Sequence, residues 1–202
     1  MALEKAEDEL ASRRLFLVRH GESTWNAVGL VQGQADVPQL TPLGIRQARQ
    51  GARGLAGARV GALYSSDLKR ATATARAFSQ ELGLPVATDV RLRERAFGVA
   101  EGTPRVLLRA DRSGVEGGLV VDADAAPEGG ESIRELYHRA AAFVMDLLDQ
   151  PAPGDTVAVC HGGVVRVVTA LLDGVGPDSM PWAPIGNGAV LCRALRLPAL
   201  AT

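Results

Sequence analysis

The stretch Leu15-Phe-Leu-Val-Arg-His-Gly-Glu-Ser-Thr-Trp-Asn26 (LFLVRHGESTWN) joins four apolar side chains directly to Arg19, His20, Gly21 and Glu22. Leu15 to Val18 predicts a short buried strand. Its polar ending has two readings: the strand stops at an ordinary loop, or it holds His20 at the floor of a cleft. Two other strand ends bear on the choice. Val60 to Tyr64 predicts a strand that ends in Ser65-Ser66-Asp67, with Arg70 close behind. Thr156 to Cys160 predicts another, ending in His161-Gly162-Gly163. Residues 86–102 read as short strand and loop, and Gly188 to Leu197 as a last strand.

Helical patterns separate these strands. Thr41 is a candidate N-cap with Pro42 at the first helical position, followed by Ile45, Ala48, Ala52 and Leu55 at helical spacing and Gly57 as a stop. Leu68, Ala71, Ala75, Phe78 and Leu82 predict an amphipathic helix over 67–82, ended by Gly83 and Pro85. Ser132-Ile-Arg-Glu135 is a capping-box pattern. It opens a helix with Ile133, Leu136, Tyr137, Ala140, Val144, Leu147 and Leu148 on one stripe, closed by Pro151 and Pro153. Gly162-Gly163 between two β-branched runs also fits a tight hairpin. The helix formers Thr169-Ala-Leu-Leu172 and the stop at Gly174 favour strand then helix. Residues 27–40 read as a loop, and 103–129 as a short helix (103–113) followed by an irregular segment. Strands alternating with helices predict an α/β layered fold with a mainly parallel sheet. In such folds ligands bind beyond the carboxyl ends of the strands, where all three polar endings fall.

Bulk composition narrows the classes. The 202 residues suit one domain. With 47% apolar and 22% charged residues, disorder is not expected. A net charge of −1 gives no support for a nucleic-acid surface. Cys160 and Cys192 cannot form a disulfide framework. Residues 1–13 read as a solvated arm or short helix, with the wrong composition for a signal peptide. No apolar stretch is long enough to span a bilayer. The expectation is a cytoplasmic protein with no membrane or nucleic-acid partner, organised as the arm and one domain over 14–202 with a short cap segment at 103–129. A homodimer is compatible with the sequence.

The chemistry gathered at the strand ends suits a phosphoryl group, which carries about two negative charges near neutral pH. Arg19 and Arg70 can match its oxygens in bidentate fashion. Arg70 would fall in the first turn of its helix, where backbone N–H groups also favour an anion. Of the histidines at 20 and 161, a neutral one can attack phosphorus and the other can donate hydrogen bonds to the oxygens. A carboxyl group must then protonate the leaving oxygen and later deprotonate water. Glu94 is the best candidate, although Arg91, Arg93 and Arg95 make a surface ion pair the competing account. Gly21 removes bulk beside His20, so that backbone and substrate approach closely. Gln32 and Gly33 are candidates for the substrate side of the cleft, a plain loop being the alternative. Arg105, Arg109 and Arg112 share one face if 103–113 is helical. They could read an acidic group, but a solvated face is the simpler account. Glu22 and Glu101 are expected to be structural and His138 to lie on the surface. The histidines show none of the close pairing of metal motifs, so no metal site is expected.

Six blocks in order (RHGESTWN, LTPLGIRQA, SSDLKRATATA, LRERAFGVAEG, GGES and CHGG) resemble the histidine phosphatase superfamily, and within it the branch of phosphoglycerate-mutase-like phosphatases. The similarity runs from about residue 14 to about residue 197. The resemblance implies a three-layer α/β/α sandwich and no metal or organic cofactor. It implies His20 as the phosphorylated nucleophile, with Arg19, Arg70 and His161 holding the phosphoryl group and Asn26 assisting. Glu94 would be the proton donor and acceptor. Residues 103–129 are short for a mutase cover, and Gln32-Gly-Gln-Ala-Asp36 resembles the phosphatase pattern. Pro181 to Ala189 resembles the tail of phosphatases acting on phosphorylated sugar acids. The favoured expectation is hydrolysis of a small phosphomonoester metabolite. A cofactor-dependent phosphoglycerate mutase, or an inactive domain that binds a phospho-ligand, are the alternatives.

Overall fold

The structure, a computed structural model, describes residues 13–108, 114–150 and 154–197. Most of the expected N-terminal arm, together with Arg109, Arg112, Pro151 and Pro153, lies outside the described residues. The chain forms a three-layer α/β/α sandwich on a mostly parallel five-stranded sheet. In chain order its elements are β1 (Arg14–Arg19), α1 (Thr24–Ala27), α2 (Pro42–Arg53), β2 (Val60–Ser65), α3 (Lys69–Leu82) and β3 (Ala87–Thr88). A two-stranded ribbon of β4 (Val115–Glu116) and β5 (Leu119–Val120) follows, then α4 (Ile133–Asp149), β6 (Asp155–Cys160), α5 (Gly162–Leu172) and β7 (Val190–Ala194).

The sheet order is β3-β2-β6-β1-β7. β6 runs parallel to both β1 and β2, and only β7 is antiparallel, against β1. All six residues of β6 are buried. That is why Thr156 to Cys160 reads as a continuous β-branched and small apolar run rather than an alternation. β1 supplies both cores from one strand because its side chains alternate between faces. Leu15 and Leu17 pack with Phe143, Val144, Val164 and Val168 of α4 and α5. Phe16 and Val18 pack with Ala52 of α2 and Ala71, Ala75 and Phe78 of α3.

Several local expectations meet corrections. The helix begun at Thr41 ends at Arg53, with Gly54 as its cap, not at Gly57. Ile45 is 44% exposed, because the buried edge of α2 is made by Gly44, Ala48 and Ala52. Residues 103–113 do not form a regular helix over their described part. Only a single 3-10 turn, Arg105–Leu107, is present, and it buries nothing. Gly21 makes room for protein rather than for substrate: a Cβ there would sit 2.7 Å from Gly44 C and 2.9 Å from Gly44 Cα. The start of α2 is thus pressed onto the loop after β1. Among the described residues, no helix is long and apolar enough to cross a membrane.

Candidate active site

The carboxyl ends of β1, β6 and β2 lie side by side, and their hydrogen bonds run one residue past each strand. His20 N–H donates to Cys160 O at 3.0 Å, and Ser66 N–H donates to Val159 O at 2.9 Å. His20, Ser66 and His161 therefore share one edge of the sheet. The rings of His20 and His161 meet edge to face, with centroids 5.1 Å apart. Both are buried, His20 2% exposed and His161 not at all.

Backbone and hydroxyl partners set the orientation of the two imidazoles. His20 Nδ1 lies 2.7 Å from Gly21 O. A carbonyl only accepts, so Nδ1 carries the ring proton and Nε2 keeps its lone pair. Burial, and then the charges of Arg70 and Arg19, hold the His20 pKa well below its usual value of 6.5, so the ring is neutral. Burial and Arg70 do the same for His161. His161 Nε2 is 2.9 Å from Ser66 Oγ, which accepts from Leu68 N–H at 3.3 Å. The Ser66 hydroxyl keeps its proton and a second lone pair, so it pairs with Nε2 in either tautomer of His161.

Arg70, at the start of α3, is only 1% exposed. Its Nη groups donate to Gly33 O at 2.6 Å and Ala35 O at 2.8 Å. Arg19 donates through Nη1 to Ile185 O. Burial brings the pKa of each guanidinium down to about 10, which leaves both charged at neutral pH. Arg19 Nε, Arg70 Nε and His161 Nδ1 are buried without a hydrogen-bond partner. These are two guanidinium donors with no acceptor and a third buried nitrogen with no partner, near the free lone pair of His20 Nε2. Unpaired buried donors cost about 1–3 kcal/mol each, so their grouping argues for an acceptor supplied from outside.

A cleft of about 160 Å³ opens over His20. Arg19, Gln32, Gly33, Arg70 and Glu94 line it, with Val31, Phe97, Arg105, Leu108, Gly162, Gly163, Arg166 and Trp182. Glu94 forms no salt bridge among the described residues: Gly163 N–H, at the start of α5, donates to both its carboxylate oxygens at 3.1 Å, and Arg95 N–H donates to Oε1 at 2.9 Å. Arg139 of α4 pins the loop beneath it, donating to Arg91 O, Arg93 O and Glu94 O. His161 packs edge to face on His20 and is not among the residues that line the cleft. Asn26 does not line it either: its Oδ1 accepts from Ser23 and Asn187, closing the capping box of α1. Gln32 is held by the Ser23 hydroxyl at 2.7 Å. Glu22 accepts from Thr41, Glu101 from Gln34 N–H and Phe97 N–H, and His138 is exposed. Among the described residues, no three His, Cys, Asp or Glu side chains are grouped to hold a metal ion.

The sequence reading missed Arg166 and Trp182. Arg166 follows Gly162 by one helical turn, which puts the two on the same face of α5; that spacing was the available signal. Trp182 lies within the Pro181–Ala189 stretch but gave no sign of facing the cleft.

Comparison with known proteins gives a consistent picture. The sequence matches the histidine phosphatase superfamily (branch 1) over residues 15–194. It is 38% identical over 176 residues to glucosyl-3-phosphoglycerate phosphatase from Mycolicibacterium vanbaalenii, covering 84% of this chain and 78% of that protein. It is 37% identical over 174 residues to the probable phosphoglycerate mutase GpmB from Yersinia enterocolitica, covering 82% and 77%. Among solved structures, mycobacterial glucosyl-3-phosphoglycerate phosphatase in complex with VO3 superposes with a TM-score of 0.77 at 31% identity, covering 89% of this chain and 90% of that one.

Proposed function

The chain belongs to the histidine phosphatase superfamily, and from that premise we propose that it hydrolyses a small phosphomonoester metabolite through a phosphohistidine on His20. One observation carries this reading: Arg19 Nε and Arg70 Nε are buried donors without acceptors, on residues that line one cleft with the neutral imidazole of His20, and His161 Nδ1 is a third buried nitrogen without a partner. The equatorial oxygens of a phosphoryl group in transfer would accept from these guanidiniums, with His161 proposed as a further donor.

The steps follow from the hydrogen bonds. Gly21 O orients His20, whose Nε2 lone pair attacks phosphorus in line with the ester oxygen. As the P–O bond breaks, Glu94 gives that oxygen a proton and the alcohol leaves. Glu94, now ionised, takes a proton from water, and the resulting hydroxide attacks phosphorus. The P–N bond breaks, phosphate departs and Nε2 recovers its lone pair. Gly163 N–H and Arg95 N–H fix Glu94 for both proton transfers. The guanidiniums supply the positive charge that a metal would otherwise bring, so the reaction is proposed to be metal-independent. Free Cys160 and Cys192 fit the proposed reducing cytoplasm.

The similarity to glucosyl-3-phosphoglycerate phosphatase supports a phosphorylated sugar acid as substrate. The similarity to GpmB favours one competing reading, a mutase that returns the phosphoryl group to substrate. Brief incubation with p-nitrophenyl phosphate, followed by acid-free proteolysis and mass spectrometry, tests the reading. The expected result is a base-stable, acid-labile phosphate on the His20 peptide, with phosphate release unaffected by a chelator. Hydrolysis that survives in His20→Ala would sink it. Isomerisation of 3-phosphoglycerate faster than its hydrolysis would select the mutase.

A further inference from the structure

Two walls of the cleft meet on one oxygen atom. Residues 32–35 form one wall, a turn closed by Ala35 N–H donating to Gln32 O at 3.0 Å. The carbonyls of Gly33 and Ala35 in that turn hold the Arg70 guanidinium at 2.6 and 2.8 Å. Residues 94–97 form the other wall and bring Glu94 and Phe97 to the cleft. Glu101 is not among the lining residues. Its Oε1 nevertheless accepts from both walls, from Gln34 N–H at 2.8 Å and from Phe97 N–H at 3.0 Å.

The link from Glu101 to Arg70 runs through a single rigid unit. Gly33 C=O and Gln34 N–H belong to the same planar peptide group. Its N–H end donates to Glu101 and its carbonyl end accepts from Arg70. A turn of that plane away from Glu101 swings the carbonyl away from the guanidinium. Gln34 adds a second tie between the walls, its Nε2 donating to Glu94 O at 3.1 Å.

Gly33 is shaped for this carboxylate. Its φ is +51°, in the left-handed region, and a Cβ there would lie 2.5 Å from Glu101 Cδ and 2.9 Å from Glu101 Cγ. A side chain at position 33 would push Glu101 out from between the walls. Position outweighs charge in what Glu101 contributes. Burial lowers the Arg70 pKa, and the charges of Glu94, Asp36 and Glu101 oppose that in decreasing order. Glu101 is the weakest of these three as a charge, whereas its Oε1 is the atom that both walls share.

Resting on the phosphatase reading above, we infer that Glu101 is a positioning residue of the active site: it fixes Arg70 through the peptide joining Gly33 and Gln34, and it holds the wall that carries Glu94 through Phe97 N–H. It touches no substrate and acts only through these groups.

Two substitutions separate reach from charge. Glu101→Asp keeps the charge and draws the carboxylate back by one C–C bond, about 1.5 Å, too far to satisfy both donors. Glu101→Gln loses the charge and keeps an acceptor oxygen in the same place. Inorganic phosphate, as a competitor of p-nitrophenyl phosphate hydrolysis, reads Arg70. The turnover of glycerol 3-phosphate relative to p-nitrophenyl phosphate reads Glu94. Glu101→Asp should weaken phosphate binding about tenfold and lower that turnover ratio about tenfold. Glu101→Gln should stay within about threefold of the unaltered protein in both. Equal damage from the two substitutions overturns the inference, because charge or bulk would then be what matters. So does a Glu101→Asp protein with a lower melting temperature but unchanged phosphate affinity and turnover ratio, which is the mark of a merely structural residue. A change in only one of the two readouts overturns the joint role. If p-nitrophenyl phosphate is not hydrolysed at all, the phosphatase reading fails, and calorimetric titration with inorganic phosphate still decides whether Glu101 fixes Arg70.

Discussion

Gly163→Ala is the substitution that isolates the seat of Glu94. A methyl group on Gly163 would overlap Glu94 Oε1 and lie 3.3 Å from Glu94 Cδ and 3.2 Å from Leu136 Cδ2. Leu136 must give by a few tenths of an ångström. The carboxylate must withdraw by about 1 Å to reach an ordinary contact distance. In doing so it loses the Gly163 N–H at 3.1 Å and the Arg95 N–H at 2.9 Å. A misplacement of about 1 Å in a reacting group costs about 10²-fold, or about 2.7 kcal/mol of barrier. The fold should survive. Overpacking costs about 1–3 kcal/mol, and Ala regains up to about 1 kcal/mol over Gly in a helix. Turnover of an alkyl phosphate should therefore fall about 10²-fold. Hydrolysis of p-nitrophenyl phosphate, whose leaving group needs little protonation, should fall far less. The double variant Gly163→Ala/Glu94→Gln should be no slower on the alkyl phosphate than Glu94→Gln alone, because both changes act on one group. Additive losses, or equal slowing of both substrates, would refute the assignment of Glu94 as the acid and of Gly163 as its seat.

Gly21→Ala meets backbone instead of a movable side chain, 2.7 Å from Gly44 C. It should destabilise the fold by about 3 kcal/mol or more, and a urea midpoint within error of the unaltered protein would contradict this. Arg139→Met frees three carbonyls of residues 91, 93 and 94 and breaks the 2.6 Å pair with Glu131. A loss of about 2–3 kcal/mol in urea unfolding is expected, together with the same leaving-group dependence as Gly163→Ala. For pH, His20 and His161 both hold pKa values below the 6.5 of an unfolded histidine. Below about pH 6.5 the unfolded chain binds protons that the folded chain refuses, so stability falls as pH drops and is level in these groups above neutrality. His161→Gln should flatten the slope between pH 6.5 and 5.5 by about one proton, and an unchanged slope would refute the buried-neutral assignment.

Strand ends were legible in the sequence because they depend on neighbours in the chain. Leu15 to Val18 is apolar on both faces because β1 feeds two cores, and the switch to Arg19-His20 marks the sheet edge. Arg70 was not legible from periodicity. It lies off the stripe of α3 and would pass for a solvated residue. It is buried because the carbonyls of Gly33 and Ala35, 37 and 35 residues away, fold over it. Residues 103–108, the described part of the expected helix, failed for the opposite reason. The charges at 105, 109 and 112 fit one helical face in sequence, but Val106 and Leu107 are 91% and 66% exposed, so among the described residues no apolar stripe supports helix beyond one turn. Gly21 was misread because its constraint comes from Gly44, a second glycine in a different element.

The two histidines show what sequence chemistry can and cannot divide. Each ends a strand and precedes a glycine, so residue type and spacing give them the same reading. Their difference lies in what their second nitrogen meets. His20 Nδ1 faces Gly21 O, an acceptor, which forces the lone pair onto Nε2. His161 Nε2 faces Ser66 Oγ, a hydroxyl able to donate or accept, and its Nδ1 is buried without a partner. One ring keeps a free Nε2 lone pair and the other spends its Nε2 on a hydroxyl, with little difference in burial or in charge environment. A carbonyl one residue away and a hydroxyl 95 residues away thus make the division that the imidazoles themselves cannot. This is why the Ser65-Ser66-Asp67 turn belongs to the chemistry as much as to the fold.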